Sequence, residues 1–279
     1  MKKVCVVGWP IHHSRSPIIH NYWIKTHKID AIYERRAVEP KDLRAFIRNL
    51  ASEGYVGCNV TIPHKESALA CVETYDEKVA KTGSLNTIFF DRGKISATTT
   101  DGDGFLNNIN NSDPTFRVKD KRVLMIGAGG SARSICEKLL QEHVESIFVL
   151  NRTESRILDL QNIFGEKIKA LSQHDLHGQL TKSDMLINTT SQGMVGQPAL
   201  DIDLSFLPKH ALVADIVYVP LKTNLILQAE SLGLVAVPGL GMLLHQAVGG
   251  FNRWFGVRPK VTQALYDLIA DDIKTEQAK

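Results

Sequence analysis

The chain lacks most of the features that mark the large special classes of protein. Of its 279 residues only four are cysteine, namely Cys5, Cys58, Cys71 and Cys136. None form a Cys-x-x-Cys pair and none lie near histidine at metal-ligand spacing, which argues against a disulfide scaffold and against a structural metal. Buried free thiols in a reduced, cytoplasmic compartment are the simpler expectation. No apolar run approaches the roughly 20 residues needed to cross a bilayer. The opening "MKKVCVVGWP" has too short an apolar stretch for a secretory signal and reads as a first β-strand. An excess of one charge is missing too. Thirty-three basic against 30 acidic residues leave +3, and the basic residues are scattered rather than gathered in a stripe. Neither nucleic acid nor a membrane is expected as a partner. Repeats and low-complexity segments are absent.

What is present is a rhythm. Short apolar runs alternate with amphipathic stretches almost to the end, the pattern of an α/β protein with parallel sheets. Hydrophobic residues make up 43% of the chain, enough for one large or two medium cores. "KVCVVG", "AIYERRAV" and "VGCNVTI" read as strands. "SRSPIIHNYWIKTHK" reads as a helix with Ser16 near its N-cap and Pro17 at its first position. "PKDLRAFIRNLASEG" reads as a second helix closed by Gly54, and helical material is expected from His64. "NTIFFDRGKISATTT" reads as a hairpin turning at Asp91-Arg92-Gly93. The polar segment 110–121 breaks the rhythm and marks a domain boundary. Beyond it strands and helices alternate again, and from Met242 onward the chain reads as helical, with a break at Arg258-Pro259.

"VLMIGAGGSARS" is a strand, then Gly127-x-Gly129-x-x-Ala132, then a helix. Glycines there permit a tight turn and close backbone approach to a pyrophosphate, and the helix start supplies free N–H groups. The next strand ends in "FVLNRTESR". An acidic residue at this place would hold the ribose 2′-hydroxyl of NAD. Asn151, Arg152 and Thr153 stand there instead, with Arg156 one helical step on. Guanidinium pairs with a 2′-phosphate, so the expected cofactor is NADP.

In the first half, alternation along an extended stretch would put Ser14 and Ser16 on one side. Their hydroxyls suit helix capping or a polyol or carboxylate ligand equally well. His12, His13 and His20 lack metal-ligand spacing and read as surface or packing residues. Lys65, in "NVTIPHKESA", and Asp101, in "TTTDGDG", are expected at the C-terminal ends of neighbouring strands. A Lys–Asp pair at such an edge, facing a dinucleotide, is a plausible proton-transfer unit for alcohol oxidation. A solvated lysine and a helix-capping aspartate are the plainer alternatives. Pro10 and Pro63 each stand between a strand and a functional turn, and a cis peptide is expected at one or both.

Nine ordered blocks carry a resemblance that covers nearly the whole chain: "GWPIHHSRSPIIHN", "GCNVTIPHK", "GSLNT", "TTTDGDG", "GAGGSAR", "NRTESR", "NTTSQGM", "DIVYVPLKT" and "PGLGMLLHQA". In these the sequence is similar to the shikimate dehydrogenases, which interconvert 3-dehydroshikimate and shikimate with NADPH. The resemblance implies a substrate domain over 1–102, a doubly wound Rossmann-type NADP domain over 103–239, and C-terminal helices, 240–279, that return to the first domain. It implies Lys65 and Asp101 as the catalytic pair. Substrate would be held by Ser14, Ser16, Thr61, Asn86, Tyr218 and Gln246. Cofactor positions fall on Gly127, Ala128, Gly129, Gly130, Ser131, Asn151, Arg152, Thr153, Arg156, Ile216 and Gly239. The implied partner is the small-molecule substrate, and the protein would be a monomer or homodimer. Two departures stand out. Ser84 replaces the family's usual alanine and Thr99 its usual asparagine, and the two are expected to compensate each other near Asn86 and Asp101. A quinate/shikimate dehydrogenase of broader range and a non-catalytic NADP sensor are the competing expectations.

Overall fold

The computed structural model describes residues 1–277. The chain divides into two compact units, one formed by Met1–Asp101 and Leu244–Ile269, the other by Gly102–Leu243 and the residues from Ala270 onward.

The first unit holds β1 (Lys2–Gly8), α1 (Ser16–Thr26), β2 (Ala31–Ala37), α2 (Leu43–Asn49), β3 (Tyr55–Val60), β4 (Thr74–Tyr75), α3 (Glu77–Thr82), β5 (Thr87–Asp91) and β6 (Lys94–Thr98). Its sheet runs in the order β2-β1-β3-β5-β6-β4. β1 pairs in parallel with β2 and β3, whereas β5 runs antiparallel to both β3 and β6. The sheet is therefore mixed, not parallel throughout. β5 also separates β3 from β6, so Lys65 and Asp101 do not follow neighbouring strands. Because β5 is antiparallel to both, it starts at the edge where β3 and β6 end. Asn86, just before β5, is thereby inserted between the lysine and the aspartate. One face of the sheet buries Cys5, Val7, Cys58 and Ile88 against Leu43, Phe46, Ile47 and Leu50.

Several local expectations are corrected. Arg15 is the N-cap of α1, and Ser16 and Pro17 are its first two residues. Ser16 is thus helical, so Ser14 and Ser16 do not alternate along a strand. Instead Ser14 Oγ accepts a hydrogen bond from Ser16 N at 3.3 Å. After Lys65 the chain forms a short 3-10 turn, Ser67–Cys71. The hairpin turn is as expected, with Arg92 and Gly93 both at positive φ (50° and 80°). The peptides before both Pro10 and Pro63 are cis, as is that before Pro220.

The second unit holds α4 (Asp101–Ser112), whose first residue closes the first unit, then β7 (Arg122–Ile126), α5 (Gly130–Gln141), β8 (Ser146–Leu150), α6 (Glu154–Phe164), β9 (Ile168–Ala170), α7 (Leu176–Leu180), β10 (Met185–Asn188), β11 (Leu212–Asp215), α8 (Asn224–Ser231) and β12 (Val235–Val237). Its sheet is parallel, in the order β12-β11-β10-β7-β8-β9. Along β7, Val123 and Met125 enter one core, and Leu124 and Ile126 enter the other. Two buried faces are what a parallel sheet requires, and they explain why this strand is apolar at every position after Arg122. The last helices are α9 (Leu240–Phe255) and α10 (Gln263–Gln277). Among the described residues no helix is long and apolar enough to cross a membrane, and no group of His, Cys, Asp and Glu could hold a metal ion.

Candidate active site

In the first unit a polar cluster forms at the edge where β3 and β6 end. Lys65 pairs with Asp101 through Oδ2, and their side chains are only 15% and 6% exposed. Asp101 is the first residue of α4 rather than its N-cap. The other carboxylate oxygen, Oδ1, accepts from Asn86 Nδ2 at 2.7 Å. Asn86 Oδ1 in turn accepts from Thr100 N (3.0 Å) and from Thr87 Oγ1 (2.8 Å). Gln246, on α9 and within the same unit, lies with its Oε1 3.1 Å from Asn86 Nδ2. The geometry fixes which end of each amide faces which partner, since a backbone N–H can only meet an oxygen. Ser14 and Ser16 are buried in the chain after β1, and Arg35 Nε donates to Ser14 O at 2.8 Å. Thr61 is half-buried and anchored by its N–H on Val7 O at 2.9 Å.

Ser84 does not play the expected part. Its Oγ is buried without a hydrogen-bond partner, so no bond from Ser84 makes up for what threonine lacks at position 99.

The second unit presents the other half of the sequence motifs. Since β7, β8, β10 and β11 are parallel, the segments that follow them gather at one edge. The chain reverses its direction of build between β7 and β10, the place where ligands enter open α/β sheets. Gly127 lies at φ +106°, where a Cβ would stand 2.5 Å from Thr189 Oγ1. Gly129 is different. A Cβ there would meet nothing within 4 Å. It is the N-cap of α5 and contributes no side chain to the cap, so the backbone at the start of the helix can be approached closely from the Gly129 side. Ala128 is buried, Gly130 and Ser131 half-buried. At the end of β8, Asn151 Nδ2 donates to Thr153 O at 2.8 Å, and Arg152, Thr153 and Arg156 are exposed. No carboxylate stands among residues 151–153. Gly239 comes so close to the end of β11 that a Cβ would stand 2.5 Å from the backbone of Ile216. Tyr218, two residues beyond, is half-buried and belongs to this unit, whereas the other residues expected to hold substrate belong to the first. An open glycine at a helix start, with arginines in place of the acid, fits an NADP pyrophosphate and 2′-phosphate.

Two sets of residues were not anticipated. Tyr33, Asn59, Thr87 and Thr100 are buried polar partners of the Asn86 cluster. Their signal was polarity inside strand-like runs. Asp215 ends β11 and ties the segments after β10 and β11 together. Its carboxylate accepts from Asn188 Nδ2 (3.0 Å), Val217 N (2.9 Å) and Thr223 Oγ1 (2.7 Å). Burial nevertheless pushes this carboxyl up to about 6, against those three bonds.

A doubly wound sheet with an anion-ready loop, in a chain that elsewhere buries a lysine–carboxylate pair, has the makings of a dinucleotide-dependent oxidoreductase. Comparison with known proteins narrows the class. The model of the shikimate dehydrogenase substrate binding domain matches residues 6–88, that of shikimate / quinate 5-dehydrogenase residues 111–201, and that of the shikimate 5′-dehydrogenase C-terminal domain residues 239–264. A shikimate dehydrogenase (NADP+) of Rhodopseudomonas palustris (strain TIE-1) is 44% identical over 272 residues, covering 98% of this chain and 97% of the relative. A shikimate dehydrogenase solved in complex with NADP+ superposes with TM-score 0.89 at 31% identity, over 98% of this chain and 96% of the other. The shikimate 5-dehydrogenase of Thermus thermophilus, solved with NADP(H) and shikimate, gives TM-score 0.86 at 27% identity, over 98% and 100%. The chain belongs to the shikimate dehydrogenase family.

Proposed function

We infer that this chain is an NADP-dependent shikimate dehydrogenase, interconverting 3-dehydroshikimate and shikimate. Reduction of the ketone needs a hydride and a proton, and oxidation of the alcohol releases both. NADPH, when bound, supplies the hydride. Lys65 handles the proton: Nζ gives one to the nascent alkoxide on reduction and recovers one from water. On oxidation it takes the hydroxyl proton instead. Asp101 holds the ammonium in place. Asn86 occupies the carboxylate's other oxygen, which leaves Oδ2 to the lysine. Ser14, Ser16 and Thr61 offer hydroxyls, and Asn86, Asp101 and Gln246 offer an amide, carboxylate and amide, to an acid that carries ring hydroxyls. In the second unit, Tyr218 is the residue assigned to substrate. In the same unit Gly127–Ser131 receive the pyrophosphate, Asn151, Arg152, Thr153 and Arg156 the adenosine 2′-phosphate, and Ile216 and Gly239 the remaining part of the cofactor.

The observation that carries these roles is the shielded Lys65–Asp101 pair. Charged groups are seldom withdrawn from water unless paired, and pairs so withdrawn recur where protons are moved. A cytoplasmic location accords with the buried free thiols of Cys5, Cys58 and Cys136. Whether the enzyme is a monomer or a homodimer is read directly by light scattering.

Initial rates with shikimate and quinate, each with NADP+ and NAD+, test the function. Shikimate with NADP+ should give the highest kcat/KM, and quinate with NAD+ in first place would overturn the reading. For the role of the lysine, Lys65→Met should lower kcat by roughly 10²-fold or more while KM for shikimate changes little. Near-normal kcat in that variant removes Lys65 from the reaction.

A further inference from the structure

Tyr33 sits in the middle of β2 and is 1% exposed. Two features immobilise it. Asn21, on α1, grips its backbone from both sides, accepting from Tyr33 N at 2.9 Å and donating to Tyr33 O at 2.8 Å. The ring lies flat on the imidazole of His20, with centroids 4.2 Å apart and planes 9° apart. The hydroxyl of this rigid side chain then reaches toward the polar cluster. It donates to Asn59 Oδ1 at 2.6 Å, and the Ser16 side chain hydrogen-bonds to the same phenol oxygen. Asn59 passes the constraint on. Its Nδ2 donates to Asn86 O at 3.0 Å and lies 3.1 Å from Thr87 Oγ1, whose own hydrogen goes to Asn86 Oδ1.

We propose that Tyr33 is a positioning residue for the reaction: through Asn59 it fixes the orientation of Asn86, and through Asn86 that of the Asp101 carboxylate that holds Lys65.

Hydrogen-bond direction makes the chain one-way. Asn86 O can only accept, so Asn59 must turn its Nδ2 toward it. That leaves Asn59 Oδ1 facing Tyr33, which must donate. Burial pushes the Tyr33 phenol well above its usual range, so the hydroxyl keeps the hydrogen this requires. Without the donor, a buried amide oxygen would be unmet and Asn59 would be free to turn over. Its oxygen would then oppose Asn86 O, and the link to the catalytic pair would be lost. The inference rests on the site reading given above.

The test is Tyr33→Phe, which keeps the ring stack on His20 and removes only the hydroxyl. With shikimate, kcat should fall roughly 10-fold, the size expected when one buried acceptor loses its donor, while KM for NADP+ is unchanged. Asn59→Ala attacks the same link from its other end and serves if the tyrosine variant does not accumulate. If the two act as one strut, the double variant loses no more than Asn59→Ala alone, because the second change removes a link already broken. A lowered melting temperature with unchanged kcat, or fully additive losses in kcat, overturns the proposal. Lys65→Met run alongside separates two failures. Normal kcat in that variant removes the site reading, and the strut with it. Normal kcat in Tyr33→Phe beside a disabled Lys65→Met removes the strut alone.

Discussion

Arg152 is the residue on which we propose that cofactor choice turns. It is exposed at the end of β8, where an acid would favour NAD by holding a ribose hydroxyl and would repel a phosphate. Arg152→Ala should therefore weaken NADP+ and spare NAD+. A charge-assisted hydrogen bond contributes about 1.5–3 kcal/mol, so the expected loss is on the order of 10–100-fold in affinity for NADP+ alone. Titration of both cofactors by fluorescence checks it, and equal losses would assign Arg152 to the fold. At this scale legibility was uneven. Lys65, Asn86, Asp101 and Gln246, which the structure brings into one hydrogen-bonded cluster, were singled out through their motifs. The partners that orient them were not, because Tyr33, Asn59 and Thr87 lie in strand-like runs where only burial separates a strut from an ordinary polar face. Burial of those positions depends on sheet order, and the sequence pattern did not reveal that β5 lies between β3 and β6.

The loop from β7 into α5 shows two glycines kept for different reasons, and their replacement separates folding from binding. Gly127 is at φ +106° with a neighbour too close for a Cβ. Gly127→Ala should destabilise the cofactor-free protein by about 1–3 kcal/mol, the usual cost of such backbone strain. Gly129 is at φ −88°, in open space. Gly129→Ala should melt within about 1 kcal/mol of the parent without cofactor, yet bind NADP+ more weakly, because a methyl group would occupy the approach of the pyrophosphate. Calorimetry with and without NADP+ distinguishes them. Equal apo destabilisation in both variants would make the loop purely structural. Elements of this kind, a strand and helix joined by glycines, were readable in advance because their period and punctuation agree. Short elements were not. α3 escaped notice although both its ends are signalled, by Asp76, whose side chain accepts from Val79 N, and by Gly83 in a left-handed conformation. The stretch after Lys65 kept helical composition but closed only a 3-10 turn.

Across the whole molecule, two buried groups tie stability to pH in opposite senses, one in each unit. Neither ring nitrogen of His20 has a hydrogen-bond partner, and burial pushes the imidazole down to about 3 from 6.5, only partly offset by the nearby Asn59 side chain. Its folded form binds fewer protons than the unfolded chain. The stability it contributes is present above pH 6.5 and lost as pH falls toward about 3. Asp215 is raised, from 3.8 to about 6, so its contribution is full below pH 3.8 and lost as pH rises toward 6. On acidification from neutrality, amide exchange corrected for its intrinsic rate should quicken around β2 and α1 and slow around β11. His20→Leu should flatten the first trend and Asp215→Asn the second. Movement of both regions in the same direction in the wild type would show that other groups dominate.

The division of the first unit between Met1–Asp101 and Leu244–Ile269 has a consequence for how the protein comes into being. A nascent chain leaves the ribosome from its N-terminus. By the time β6 has emerged, every strand of the first sheet exists, but nothing has yet been made that can bring Gln246 to Asn86 or cover Ile88 O with Trp254 Nε1. Residues 102–243 arrive next as one uninterrupted stretch and can complete a sheet with both faces buried. The first unit to be started thus waits for residues 244–269, and the polar cluster around Lys65 acquires Gln246 only after the intervening residues 102–243 have been made.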